Sequence, residues 1–416
     1  MARFRFWLTK GTLAVLDQGL FSGANFLVNI LLARWLSPEE YGAFAVALSV
    51  FYLLAGFHTA VLTEPMVVFG AGKYKEHFRK YLGMLLYGHF GLSAVISLAL
   101  GMAALVTARY GSQALARALA GLAIASPFLL LLWLTRRGCY VHLRPTWAVV
   151  GSGMNLVLVM AGLFLFWRQG LLSPLTGLVL LGAAAGGAAL LNLLQLRPQI
   201  AGFVGNPTPL MIVRDHRGYG TWNLLGVLAY WASGQVLMLL VPIFLGLAAS
   251  AVVAAVWNLY RPVSLFIQSL GFVLLPLFSR WVSEGVAPRE LRRWALRLAF
   301  LFGGAVLIYG ILLTLLAKPV LDFLYAGKYV EHWLLVGMFG LSTTASTVTG
   351  MFVLLLKAKQ SAKNVSTIWV LSLTFMAIVS FPMMYLARLE GALIAFTLSY
   401  LVATAVAFLT VRRLIG

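Results

Sequence analysis

The chain alternates between long apolar runs and short polar breaks. A helix needs about 20 apolar residues to cross the hydrocarbon core of a bilayer. With that window the pattern predicts twelve spans, at 11–36, 40–70, 81–108, 112–135, 146–167, 171–195, 219–246, 249–279, 294–317, 331–356, 364–387 and 390–411. The fourth and sixth, rich in Ala and Gly, carry the weakest signal. The first run follows a basic start (Arg3, Arg5, Lys10). It exceeds the ~7–15 residues of a cleaved signal core, so it is expected to stay as an uncleaved span.

The longest polar break lies at about 196–218 and contains Pro198, Gly205, Asn206, Pro207, Pro209, Arg214, Asp215, His216 and Arg217. The expected organisation is a six-helix bundle over 1–197, a linker over 198–218 and a second six-helix bundle over 219–416. The halves look related at an offset of roughly 210 residues. Spans two and eight each reach a proline near one end, Pro65 and Pro276, and Tyr110-Gly111 corresponds to Tyr325-Ala326-Gly327. The basic hairpin Arg136 to Arg144 corresponds to Lys357 to Lys363. Bundles of even span number keep one orientation, so the repeat is expected to be parallel, about an axis along the membrane normal.

Composition agrees with the pattern. Of 416 residues, 62% are hydrophobic and only 10% charged, against about 25% charged in soluble domains. The formal net charge is +20. Assigning alternate loops to two sides puts 23 of the 31 Lys and Arg residues on one side and seven on the other, with Arg261 inside a span. This asymmetry follows the positive-inside rule and predicts that both termini are cytoplasmic. The basic loops suit anionic phospholipids. No basic cluster has a polar domain around it, which argues against nucleic acid.

The single cysteine, Cys139, excludes a disulfide within the chain and any cysteine-based metal site. No motif for a cofactor, a metal or a catalytic set is present, and a non-enzyme is expected.

The segment Asn25-Phe26-Leu27-Val28-Asn29-Ile30-Leu31-Leu32-Ala33-Arg34-Trp35-Leu36-Ser37-Pro38-Glu39-Glu40-Tyr41-Gly42 carries a family resemblance. So do Asn258-Leu259-Tyr260-Arg261-Pro262, with Pro276 in the same span, and Tyr325-Ala326-Gly327-Lys328-Tyr329. At these residues the chain resembles the oligosaccharide flippases of bacterial polysaccharide synthesis, within the multidrug/oligosaccharidyl-lipid/polysaccharide exporter superfamily. The resemblance implies an all-α membrane protein with two pseudo-symmetric bundles around a central cavity, working by alternating access. It implies an undecaprenyl-diphosphate-linked oligosaccharide as cargo, moved from the cytoplasmic to the periplasmic leaflet. Polysaccharide polymerase and export proteins are the implied partners. The chain is short for this family, with minimal loops on the less basic side.

Ionisable residues inside spans are costly, and each is a functional candidate. Arg261 lies about twelve residues into the eighth span, near mid-bilayer. Its planar fork suits a diphosphate; the structural alternative is pairing with carbonyls freed by Pro262 and Pro276. Asp17 and Glu64 lie near the basic ends of their spans. They read either as a site for a coupling ion (H+ or Na+) or as a gate or salt bridge, for example with Arg79, Lys80 or Arg261. Asn25 and Asn29 share a helix face. With Asn223, Asn258, Gln268 and Arg34 they form a candidate headgroup-binding set, with helix-to-helix contact as the alternative for each. His58 and His89 read as lone histidines, and His58 is a further coupling or gate candidate.

Two other functions compete. A cation-coupled multidrug antiporter of the same superfamily favours acidic or aromatic sites, against which Arg261 argues. A membrane glycan polymerase or ligase needs a sizeable external loop, and the loops here are short.

Overall fold

The computed structural model describes the backbone of residues 2–200 and 207–415. Side chains are described within those ranges except at 2–11, 221–223, 225–227, 229, 230, 232, 233, 272, 362 and 415. The described residues are helical almost throughout, in an all-α multi-pass membrane protein.

The helices are α1 (Ala2–Trp35), α2 (Pro38–His58), α3 (Glu64–Ala71), α4 (Phe78–Tyr110), α5 (Gln113–Val141), α6 (Pro145–Arg168) and α7 (Pro174–Leu196). Then come α8 (Pro209–Leu245), α9 (Leu247–Ser283), α10 (Pro288–Leu315), the short α11 (Ala317–Tyr325), α12 (Trp333–Ala358) and α13 (Ala362–Ile415). Among the described residues, ten helical segments are long and apolar enough to cross a membrane. One of them, Lys363–Leu414, holds two predicted spans, separated where Ala387 and Arg388 leave helical geometry. The seventh predicted span falls on α8, of which Gly234–Leu245 is the apolar stretch whose side chains are all described. Eleven of the twelve predicted spans thus fall on the ten segments, and the helix that carries the seventh, α8, starts at Pro209, inside the 198–218 break.

Local sequence explains where helices start. Ser37-Pro38-Glu39-Glu40 forms a capping box, with Ser37 Oγ accepting from Glu40 N and the Glu40 carboxylate accepting from Ser37 N. Such a box satisfies two of the donors that a helix N-terminus leaves open. Ser173 caps α7 with Thr176 in the same way, and Ser112 caps α5. The motif that carries the family resemblance is therefore, physically, a helix-start device.

Prolines inside spans free carbonyls that need donors. Pro127 lacks the N–H that would bond the Ala123 carbonyl, and Ser97 Oγ donates to it at 2.7 Å. Pro65 frees the Val61 carbonyl. The helix responds by widening into a π-turn at Thr59–Thr63 between α2 and α3.

Two compact units divide the chain, residues 1–231 and 232–416, so α8 begins in the first and ends in the second. In the first unit α5 is central and packs against α4, α7 and α2; in the second α12 occupies the same place against α10, α13 and α9. This common packing order within each unit is what an internal repeat produces. The repeat is imperfect. Tyr110 is 83% exposed while Tyr325 is fully buried, and α11 has no counterpart between α4 and α5.

Close helix contact comes from small residues, as expected where lipid supplies no hydrophobic drive. A Cβ on Gly182 of α7 would lie 2.7 Å from the Ala125 Cα of α5. In the second unit Ser342 pairs with Thr397 at 2.7 Å and Thr349 with Thr404 at 2.8 Å. Each pair repeats after seven residues, a polar seam between α12 and α13.

Candidate functional site

Asp17 is fully buried on α1. Its Oδ2 accepts from Arg136 Nε at 2.8 Å and Tyr140 Oη at 2.5 Å, and its Oδ1 from Ser152 Oγ at 2.5 Å. Arg136 also donates to Gln18 Oε1 at 2.8 Å and lies over the Phe21 ring, 4.4 Å from its centroid. Donors from α5 and α6 thus converge on one carboxylate. Arg137 of α5 sits within electrostatic range of both Asp17 and Glu64. The sequence-level partners for Asp17 were Arg79, Lys80 and Arg261; the observed partner is Arg136. The reason is helix length: α5 runs to Val141 rather than ending at 135, so Arg136 belongs to its last turns. Arg79 instead donates to the Arg197 carbonyl at 2.6 Å.

His58 and His89 are not lone residues. His58 Nε2 and His89 Nδ1 lie 3.0 Å apart with the rings nearly perpendicular, at 87°. Both side chains are fully buried. Thr63 Oγ1 approaches His58 Nδ1 at 3.4 Å, and Ser93 Oγ approaches His89 Nδ1 at 3.5 Å. The pair joins the end of α2, where the π-turn begins, to α4. A separation of 31 residues hides this contact from any local sequence pattern.

The π-turn is also held by α8. His216 Nδ1 lies 2.8 Å from the Val61 carbonyl that Pro65 frees, and His216 Nε2 lies 2.6 Å from Tyr81 Oη. A carbonyl only accepts, so Nδ1 carries the hydrogen and Nε2 accepts from the Tyr81 hydroxyl. Beside it, Asp215 Oδ2 accepts from Lys73 Nζ at 2.6 Å and Tyr74 Oη at 2.5 Å. Partial burial alone would raise the Asp215 pKa, but the Lys73 and Tyr74 hydrogen bonds outweigh it and hold the carboxyl below its usual range. Burial holds the His216 imidazole below its ordinary value, against the pull of the Val61 carbonyl and Asp215. The Pro65 signal was legible in sequence; that a histidine 155 residues away would serve it was not.

In the second unit, α9 places Asn258 and Arg261 one turn apart. Arg261 is half-buried and, among the described residues, has no carboxylate partner. Tyr325, from the Tyr325-Ala326-Gly327 segment, is buried and donates to the Ala255 carbonyl at 2.9 Å, within electrostatic range of Arg261. Ala326 and Gly327 both have positive φ, 54° and 81°, which ends α11 and turns the chain there. Asn258 is fully buried with its side-chain amide within interaction range of the Tyr325 hydroxyl, and among the described residues the buried Tyr329 hydroxyl has no partner.

The other candidates are spread more widely. Asn25 Nδ2 donates to the Phe21 carbonyl at 3.0 Å and Asn29 Nδ2 to the Asn25 carbonyl at 2.8 Å, so both amides bond their own helix. Asn29 is buried, with Tyr41 Oη 3.5 Å from its Oδ1, which favours a role in joining α1 to α2. Arg34 is exposed in the last turn of α1, next to Trp35, which stacks on Trp167 at 4.8 Å. Gln268 is exposed on α9 and Glu64 is half-buried at the start of α3. The Asn223 side chain lies outside the described ones.

No protein-family model and no curated protein matches this sequence. Solved structures do. An inward-facing multidrug resistance MATE family transporter of the MOP superfamily aligns over 97% of this chain and 98% of its own, with 14% identity and a TM-score of 0.76. Lipid II flippase MurJ, in an inward closed conformation, aligns over 98% of this chain and 87% of its own, with 14% identity and a TM-score of 0.68. A MOP superfamily transporter from Pyrococcus furiosus, described by the reverse polarity of its binding pocket, aligns over 97% and 94%, with 15% identity and a TM-score of 0.62. The chain therefore has the fold common to multidrug transporters and a lipid II flippase.

Proposed function

We propose that this protein is an alternating-access transporter that moves an anionic, lipid-diphosphate-linked oligosaccharide between leaflets. The proposed cargo is an undecaprenyl-diphosphate-linked unit for polysaccharide synthesis, and the proposed setting is the bacterial inner membrane with both termini cytoplasmic. The observation that carries this reading is a charge imbalance inside the spans. Among the described residues the one fully buried carboxylate, Asp17, is neutralised by Arg136, whereas Arg261 has no carboxylate partner. An unneutralised guanidinium near mid-bilayer favours phosphate oxygens over a cation.

The multidrug reading has the same fold behind it, since MATE transporters match as widely as the flippase. The reverse-polarity Pyrococcus protein indicates that pocket charge can differ within this fold. Charge is therefore the feature that separates the two readings, and it favours an anion here. The test is reconstitution into liposomes with a fluorescent undecaprenyl-diphosphate oligosaccharide in one arm and a cationic dye in the other. Transbilayer movement of the oligosaccharide alone is the expected result. Movement of the dye alone would establish the antiporter instead.

A further inference from the structure

We propose that the first turns of α10 form a binding site for anionic phospholipid headgroups. Arg289, Arg293 and Arg297 follow one another at four-residue spacing, so they lie in one stripe along the helix. At 1.5 Å per residue the stripe is about 12 Å long. All three side chains are exposed, and Arg292 flanks them half-buried. Among the described residues none of the four forms an ion pair, although Glu290 lies in the same turn.

What continues the stripe decides the partner. Leu296 is 39% exposed, and Phe300, one turn beyond Arg297, is 85% exposed. The opposite face, with Leu291, Ala295 and Ala299, is buried in the second unit. An exposed phenylalanine inside a membrane span faces lipid, so the guanidiniums that precede it on the same face stand at headgroup depth. Trp281 and Trp294 pack together beside them at 5.6 Å, and Arg297 lies over Trp294, 5.3 Å from its ring centroid. Tryptophans at that depth mark the membrane–water interface. Guanidiniums there meet phosphate and, unlike ammonium groups, can bind it through two hydrogen bonds. A lipid that is anionic overall leaves this pairing uncompensated by its own cation, whereas a zwitterionic lipid supplies one. The site does not depend on which cargo the transporter carries.

The experiment is native mass spectrometry of the full chain released from micelles containing equal phosphatidylglycerol and phosphatidylcholine. The wild type is expected to retain phosphatidylglycerol preferentially. The triple variant Arg289→Gln/Arg293→Gln/Arg297→Gln is expected to lower that preference on the order of a hundredfold, each interfacial cation contributing roughly a fivefold factor. Arg412→Gln/Arg413→Gln, at the end of α13, is expected to leave it unchanged. The single charge reversal Arg293→Glu, at an exposed position, is expected to move the preference in the same direction as the triple variant. An unchanged preference in the triple variant and in Arg293→Glu overturns the proposal. So does an equal loss in the α13 control, which would make the effect one of general positive charge.

Discussion

At the scale of single residues, the strongest structural commitment is the Asp17 carboxylate. It is buried and accepts three hydrogen bonds, one of them from a guanidinium. Removing one partner of a buried pair leaves the other charge uncompensated, at a cost of about 3–5 kcal/mol. Asp17→Ala is therefore expected to lower the thermal midpoint of the purified protein sharply, and the double variant with Arg136→Met to recover much of the loss. A double variant no more stable than Asp17→Ala would show that the pair is not what holds this corner. The histidine pair makes a second, smaller prediction. His58→Phe strands the His89 imidazole without its partner and is expected to cost about 1–3 kcal/mol, read from the same unfolding curves. Asp17, His58 and Arg261 stand out in the sequence because ionisable groups are conspicuous in an apolar run. Their partners were not legible there, since Arg136, Tyr140, Ser152 and His89 lie 31 to 135 residues away.

At the scale of elements, the π-turn at Thr59–Thr63 and its attachment to α8 form the least regular part of the first unit. The neutral His216 ring fits both its neighbours, donating to the Val61 carbonyl and accepting from Tyr81. Protonation puts a hydrogen on Nε2 and removes that acceptor. Because the folded imidazole is held below its ordinary value near 6.5, the unfolded form binds the proton more readily. The attachment is therefore fully stabilising above about pH 6.5 and weakens as pH falls through the folded value. Asp215, also held low, adds stability that is lost only in a more acidic window, below the ordinary carboxylate range near pH 3.9. Hydrogen exchange corrected for its intrinsic pH dependence should show residues 209–220 losing protection on acidification from pH 7.5 to 5.5. A His216→Phe variant should lack that step; a step that persists in the variant would assign it to another group. Helix packing gives a further test. Gly182→Leu forces a side chain against the Ala125 backbone and is expected to cost about 1–3 kcal/mol by overpacking, again in thermal unfolding. Most elements were legible in advance because Ser-Pro-Glu starts, Ser caps and long apolar runs act locally. The π-turn was not, because it depends on a distant donor for the carbonyl that Pro65 frees.

At the scale of the whole molecule, two units share a packing order, with α5 and α12 central. Apolar run length and proline placement revealed that repeat, whereas burial of individual residues did not follow it. Tyr110 and Tyr325 occupy matching sequence positions with opposite exposure, because α11 carries Tyr325 into the interior of its own unit. The fold does not select a cargo, since multidrug transporters and a lipid II flippase both have it. The selection proposed here rests on Arg261. A charge-assisted hydrogen bond to phosphate is worth about 1.5–3 kcal/mol, or roughly ten- to a hundredfold in rate if it is made during transport. The most direct measurement is the rate at which liposomes containing Arg261→Ala move a fluorescent undecaprenyl-diphosphate oligosaccharide, beside wild type and Arg261→Lys. The account predicts a loss of at least about tenfold in Arg261→Ala, with part of the rate retained by lysine, which keeps the charge but not the bidentate fork. Wild-type rates in a folded Arg261→Ala protein would contradict it.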